Sequence, residues 1–262
     1  MHVTNLISLA CGSAAHIRLP RALALLAVRA FARHYRIDPA ECAKELSAYR
    51  SVGEFFAREL REDARPLGEG VTSPVDGVLR GWGKLDEGVI TQVKGCTYEV
   101  AELLGDAARA GEFDGGSYLH FYLSPRDYHH VHAPLGGRLI DCRRLRGSLW
   151  PVNDWCLQRV KRLFARNARA VLYMQTPAGL MAVVMVGALN VGSIELRHER
   201  AQGAAGGAEI ARGAPLGSFR LGSSVVVLFQ AGAFVPASIP AGSAVRCRQS
   251  VGQWREAVRA TP

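Results

Sequence analysis

One place in this sequence lets a chain attack itself. Leu221-Gly222-Ser223-Ser224 stands directly before an apolar, β-type run from Val225 to Phe229. Gly222 has no side chain to block approach to its carbonyl and reaches backbone angles closed to other residues, so the Ser223 hydroxyl can turn onto the preceding peptide bond. Such an attack exchanges an amide for an ester and needs a base to take the hydroxyl proton. The same four residues also read as an ordinary turn feeding a strand. The case for chemistry therefore rests on what lies upstream.

Upstream, Ser73-Pro74-Val75-Asp76-Gly77 places Asp76 in a turn before the strand-like Val78-Leu79. Further on, Tyr122-Leu123-Ser124-Pro125-Arg126-Asp127-Tyr128-His129-His130-Val131-His132-Ala133-Pro134 carries three of the eight histidines within four residues. An acid, a histidine and a serine, in that order, can form a general-base relay in which the carboxylate orients the imidazole. Each piece has a plainer role: Asp76 stabilises a turn, and clustered histidines bind metal or lie on a wet surface. The cysteines at 11, 42, 96, 142, 156 and 247 include no Cys-x-x-Cys pair, which argues against a structural zinc site. A serine hydrolase built on Asp76, His132 and Ser223 would lack any Gly-x-Ser-x-Gly elbow. A non-catalytic β module would use the Pro-x-Asp-Gly turn but not the histidine segment.

Taken in order, these segments resemble the proenzyme-type phosphatidylserine decarboxylases. The resemblance begins near Phe55-Phe56-Ala57-Arg58-Glu59-Leu60 and Ala64-Arg65-Pro66, and includes the Asp76 turn, Lys94-Gly95 and the histidine segment. It continues through Leu163-Phe164-Ala165-Arg166-Asn167 and Val191-Gly192-Ser193-Ile194-Glu195 to Gly217-Ser218-Phe219-Arg220-Leu221-Gly222-Ser223-Ser224, spanning roughly residues 51 to 230. Several separated segments in the right order and spacing carry more weight than any single motif. Ser224 stands where the family most often has threonine, and keeps the hydroxyl. The stretch from His198 to Pro215 is short where relatives often carry an insertion.

The resemblance implies a pyruvoyl enzyme that makes its cofactor from Ser223. Self-cleavage between Gly222 and Ser223 would give a long β chain (1–222) and a short α chain (223–262). It assigns His132 to take the Ser223 proton, Asp76 to hold that imidazole, and His129 to the proton steps of decarboxylation; a solvated surface position is expected for His130. The pyruvoyl group at 223 would form a Schiff base with phosphatidylserine, act as electron sink while carbon dioxide leaves, and release phosphatidylethanolamine. A homodimer of αβ units is also implied, and no metal. A pyruvoyl decarboxylase acting on a soluble amino acid is the nearest rival.

The formal charge of +9 over 262 residues suggests an anionic partner. No nucleic-acid motif with interleaved aromatics accompanies it, so an anionic membrane surface is favoured over nucleic acid. Unpaired cysteines in a chain of this size point to reduced thiols. The expected location is peripheral, on the cytoplasmic face of the cell membrane. Leu6 to Ala15 is too short, and too poor in initial basic residues, for a signal peptide.

The elements that must position these groups fall into two regions. Leu19 to Tyr35 is helical in character, and its longest uncharged run, Ala22 to Val28, is too short to span a bilayer. Steps of about 100° put Arg18, Arg21, Arg29, Arg33 and Arg36 on one side, joined by Leu25, and Leu23, Val28, Phe31 and Tyr35 on the other. That pattern suits a helix lying on lipid phosphates, and equally a surface helix packed on its own domain. Asp38…Glu41 and Ser51…Glu54 have capping-box spacing and predict two more helices. Beyond residue 71, short apolar runs punctuated by glycine predict strands at 88–93, 117–123, 137–145, 170–175, 180–189, 225–229 and 244–250, with helices near 99–104 and 154–166. The expected fold is α+β, with N-terminal helices followed by a mainly antiparallel β-sandwich or partly closed barrel. The expected domains are an N-terminal helical membrane-association region (1–66) and a β-rich catalytic domain (67–262).

Overall fold

The computed structural model of the chain describes residues 15–86, 88–91, 97–152, 154–188, 194–198, 207–220 and 223–256. The N-terminal region holds helix α1 (Arg21–Tyr35), three single 3-10 turns and helix α2 (Val52–Phe56). Strands β1 (Val71–Thr72), β2 (Gly77–Lys84), β3 (Val89–Thr91) and β4 (Thr97–Glu99) lead to helices α3 (Val100–Leu104) and α4 (Ala107–Gly111). Then come β5 (Ser117–Leu123), β6 (His130–His132), β7 (Gly137–Leu145), α5 (Asp154–Arg159), α6 (Leu163–Arg166), β8 (Arg169–Thr176) and β9 (Gly179–Gly187). The remainder is β10 (Ile194–Leu196), β11 (Ala208–Ile210), β12 (Pro215–Phe219), β13 (Ser223–Phe229), β14 (Phe234–Pro236), β15 (Ala244–Val245) and β16 (Ser250–Trp254).

Eight strands form one antiparallel sheet in the order β11-β7-β8-β9-β13-β5-β2-β15. Two three-stranded sheets, β1-β16-β14 and β10-β12-β6, pack with it around one shared core, giving a sandwich-like α+β fold. The sheet does not close, so the barrel alternative falls. Its edges are β11 and β15, only three and two residues long, and such short edges present little backbone for further pairing. At the centre, β9 and β13 are buried at every position. Their runs Leu180–Val186 and Val225–Phe229 are apolar without alternation because both faces are covered.

Differences from the sequence expectations have local causes. Asp38 accepts from the Ala40 amide at 2.9 Å, but Pro39–Glu41 makes only a 3-10 turn rather than a helix. Ser51 caps α2 through the Glu54 amide at 3.0 Å, while the Glu54 carboxylate takes the Arg50 amide, one residue before the cap. The 154–166 helix is broken at Arg162, whose positive φ of 59° starts a new turn. The 244–250 segment is two strands on two different sheets.

Helix α1 is oriented by its smallest residues. Ala24, Val28 and Ala32, four apart and therefore on one face, are buried, and Val28 and Ala32 join Cys42, Tyr49 and Phe55 in a separate small cluster. Small side chains let the helix approach closely, which turns Leu23 and Leu26 outward to 55% and 66% exposure. Leu23, which the arc groups with Val28 opposite the arginines, is thus exposed where Val28 is buried. No helix of the described residues is long and apolar enough to cross a membrane.

Phe121, wholly buried on β5, should cost about 3–5 kcal/mol when cut to alanine. Leu23→Ala should change stability by no more than roughly 0.5 kcal/mol. Urea unfolding midpoints of the two variants test this, and comparable losses would contradict the assignment of inside and outside.

Candidate active site

Ser223 is the first residue of β13 and pairs with Leu123 of β5 on one side and Gly187 of β9 on the other. It is fully buried, as is Ser224, and neither hydroxyl has a hydrogen-bond partner among the described residues. A buried hydroxyl without a partner is costly, and two in succession at the head of a central strand mark a place kept for something other than packing. Gly187 leaves the flank of Ser223 free of a side chain. Its carbonyl accepts from Asn167 Nδ2 at 2.8 Å, and the same fully buried amide brackets Trp150 through the backbone N–H (2.9 Å) and carbonyl (2.8 Å). Gly222 and Leu221 lie outside the described residues, as do Lys94-Gly95 and 191–193.

Two backbone routes join the histidine segment to the strands around Ser223, although no hydrogen bond among the described residues links the His129 or His132 ring to the Ser223 hydroxyl. From Leu123, opposite Ser223, the chain enters a turn in which Asp127 Oδ2 accepts both the amide and the hydroxyl of Ser124 at 2.7 Å. That turn delivers His129, whose carbonyl accepts from the Phe219 amide at 2.9 Å, four residues before Ser223. β12 pairs with β6 through Ser218↔His130 and Pro215↔His132, so the strand that leads to the serine is the strand that holds the histidines.

Backbone carbonyls fix the state of each imidazole. A carbonyl only accepts, so His129 Nδ1 donates to Asp127 O at 2.8 Å and His132 Nδ1 donates to Gly213 O at 2.8 Å, leaving Nε2 of each as the lone-pair nitrogen. His129 Nε2 is buried without a partner, and the ring packs against Phe56 with centroids 4.0 Å apart. His132 Nε2 faces the Tyr128 hydroxyl at 3.3 Å, and Tyr128 stacks on His130. Desolvation chiefly, with the Arg58 charge nearby, pushes His129 down to about 3, and desolvation pushes His132 down to about 4. Both are therefore neutral bases at neutral pH. His130 is buried, not solvated, and donates Nε2–H to Ala57 O at 3.2 Å.

Asp76 departs from the simple relay. Its carboxylate is held by Arg65, Nε to Oδ1 at 2.9 Å and Nη2 to Oδ2 at 2.6 Å, and by the Cys247 amide at 2.7 Å. The direct Asp76–His132 hydrogen bond is not formed, because both ring nitrogens of His132 are already engaged. A bidentate guanidinium is the stronger partner for a buried carboxylate. Asp76 and His132 still meet through the backbone, where the His132 amide donates to Pro74 O at 2.8 Å. Arg58, Arg65 and Asn167 lie in segments that sequence reading singled out, yet it gave them no role. Their signal was a polar residue beside apolar ones, in Phe-Phe-Ala-Arg and Leu-Phe-Ala-Arg-Asn.

The family model described as phosphatidylserine decarboxylase matches residues 52–253. Among similar proteins, the phosphatidylserine decarboxylase proenzyme of Anaeromyxobacter sp. (strain K) is 43% identical over 244 residues, covering 87% of this chain and 86% of its own. The proenzymes of Azotobacter vinelandii (40% over 248 residues, 87% and 86% covered) and Brevibacillus brevis (40% over 221 residues, 78% and 79% covered) are comparably similar.

His120, central on β5, is also lowered to about 3 by desolvation. All three histidines therefore take up protons near the ordinary value of 6.5 when unfolded, but only near 3–4 when folded. Their stabilisation is full above pH 6.5 and is lost as pH falls toward 4. Each contributes a slope of up to roughly 1.4 kcal/mol per pH unit in that window. Urea midpoints should fall steeply between pH 6.5 and 5, and less steeply in His120→Phe. A flat profile would rule out neutral burial.

Proposed function

The chain belongs to the phosphatidylserine decarboxylase family and is a decarboxylase, and on that premise we propose that it converts phosphatidylserine to phosphatidylethanolamine with a pyruvoyl group made from its own Ser223, in phospholipid biosynthesis. The observation that carries this reading is the fully buried, unpartnered Ser223 hydroxyl at the head of β13, with the histidine segment bonded to the preceding strand, β12. In the proposed processing, His132 takes the Ser223 proton and the oxygen attacks the Gly222 carbonyl. The amide becomes an ester, and loss of the Cα proton expels the Gly222 carboxylate. The dehydroalanine left at 223 then takes up water and loses ammonia. Tyr128 is placed to steer the His132 ring. Asp76 acts through position: clamped by Arg65, it braces the turn on which His132 hangs, and its bond to the Cys247 amide ties the short chain to the long one after the cut.

The site fits the group it would carry. Residue 223 needs no side-chain hydrogen bond to be lost, and glycine at 187 leaves room beside it. When formed, a pyruvoyl group supplies a ketone that condenses with the substrate amine and accepts the electron pair released with carbon dioxide. His129, with a buried free Nε2, is the residue proposed to hold and return the proton at the reacting carbon. A serine hydrolase is disfavoured because Ser223 sits in no Gly-x-Ser-x-Gly elbow.

The N-terminal region (residues 1–66) is proposed to dock on an anionic membrane surface at the cytoplasmic face, with residues 67–262 as the catalytic domain and αβ units pairing as a homodimer. Exposed Ile17, Leu23 and Leu26 beside exposed Arg18, Arg21 and Arg29 support this, as apolar groups to enter the headgroup layer and cations to meet phosphates.

Denaturing intact mass is the first test. Wild type should give fragments 1–222 and 223–262, the latter lighter by one ammonia than a free serine terminus. Ser223→Ala should stay one chain. His129→Ala should cut itself but lose turnover, and normal turnover in that variant would end the assigned division of labour. Leu23→Asp with Leu26→Asp should lower binding to phosphatidylglycerol vesicles at least tenfold while leaving self-cleavage complete; unchanged sedimentation with vesicles would remove α1 as the anchor.

A further inference from the structure

A cavity of about 800 Å³ lies at the seam between the N-terminal region and the β6-β12-β10 sheet, walled by Lys44, Tyr49, Arg58 and His130 among others. Arg58 is only 4% exposed. Its Nη2 donates to Arg126 O at 2.8 Å and Asp127 O at 3.3 Å, while Nε and Nη1 are buried without a partner, as is the Tyr49 hydroxyl. A guanidinium stays charged, and this one has no direct carboxylate partner among the described residues, Asp76 and Asp127 favouring its charge only from farther away.

The carboxylates on the same wall already have partners, one of them, Arg197, on the wall itself. Glu59 pairs with Arg197 at 3.0 Å, Glu195 pairs with Arg220, and Glu54 accepts the Arg50 amide at 2.8 Å. Lys44, exposed at the rim, has no carboxylate partner among the described residues. The unmet donors and the unmet charge therefore share one sign. Arg58 also reaches the chemistry: the Asp127 carbonyl that accepts its Nη2 is the carbonyl that holds His129 Nδ1.

We infer that this cavity is an anion seat in which Arg58, Tyr49 and Lys44 bind the phosphodiester of the substrate headgroup. The source of the anion rests on the decarboxylase reading; the seat itself does not. Of the two headgroup anions, the carboxylate leaves as carbon dioxide, and a cation gripping it would stabilise the ground state against the reaction. The phosphodiester keeps its charge throughout, so a cation there anchors substrate and transition state alike. Loss of such uniform binding raises KM and leaves kcat nearly unchanged.

The test uses the mature protein and its Lys44→Ala, Arg58→Gln and Arg58→Lys variants, each first checked for complete self-cleavage by intact mass. Calorimetry with inorganic phosphate and with glycerophosphoserine reads the seat directly, and turnover of phosphatidylserine in detergent micelles reads its use. Lys44→Ala and Arg58→Gln should weaken glycerophosphoserine binding and raise KM by roughly ten- to a hundredfold, the loss expected for one charge-assisted hydrogen bond. Arg58→Lys should recover part of it. Free serine, which has the carboxylate but no phosphodiester, should not displace phosphate. Displacement by serine, or affinities and KM unchanged in Lys44→Ala, would overturn the proposal even if Arg58→Gln fails to fold or to cut. Phosphate binding that depends on Lys44 in a wild-type protein without lipid turnover would sustain the seat and sink the decarboxylase reading instead.

Discussion

Strand β13 is hydrogen-bonded along its whole length to β5 on one side and β9 on the other, and its first residue is Ser223. Most of what the molecule can do depends on that placement. Every residue from 223 to 229 is locked in register by two neighbours and buried on both faces, so the backbone beyond the serine has no freedom to recoil. Under the proposed processing, the new terminus stays where the peptide bond was, because the strand that carries it is the centre of the sheet. The short chain needs no covalent link to remain, and the Asp76–Cys247 contact adds a second attachment at its far end.

The polar groups around this strand head are held by backbone more than by one another. His129 and His132 take their tautomers from Asp127 and Gly213 carbonyls, Asn167 spans from Trp150 to Gly187, and Arg58 hangs from the Arg126 and Asp127 carbonyls. Carbonyls cannot titrate, so these orientations are independent of pH even where the histidines are not. The arrangement also keeps the imidazoles neutral in a dry site, where a charged ring would be expensive. The carboxylate expected to join them is reserved by Arg65, itself shared with Glu41 at 2.8 Å. The Asp76 carboxylate is thus paired directly with a guanidinium, whereas Arg58 has only carbonyls as direct partners.

Much of the fold and part of the site can be read from the sequence. The runs 117–123 and 137–145 coincide with β5 and β7, since a clean apolar or alternating run between glycine-rich turns has few other solutions. Strands β6, β10, β11, β12 and β14 escape such reading. They are three to five residues long, and their pairing comes from distant partners rather than local pattern. Ser223, His129 and His132 stand out in the sequence by residue type and order, and their roles are those proposed above. Local sequence determined the caps of Ser51 and Asp38 and the longer strands.

Tertiary structure alone decided which partner each polar group keeps. Asp76 and His132 are 56 positions apart in sequence, and nothing local says that Arg65 and a backbone amide from residue 247 will occupy the acid first. The same holds for α1, where arc counting sorted Leu23 with Val28 opposite the arginines, but the close approach allowed by Ala24, Val28 and Ala32 buries Val28 and leaves Leu23 exposed. Periodicity specifies that a helix has two faces, whereas the shape of the surface it packs on selects which face is buried. Hydrogen-bond partners are likewise chosen by three-dimensional proximity and by competition between donors, quantities that a one-dimensional pattern does not contain.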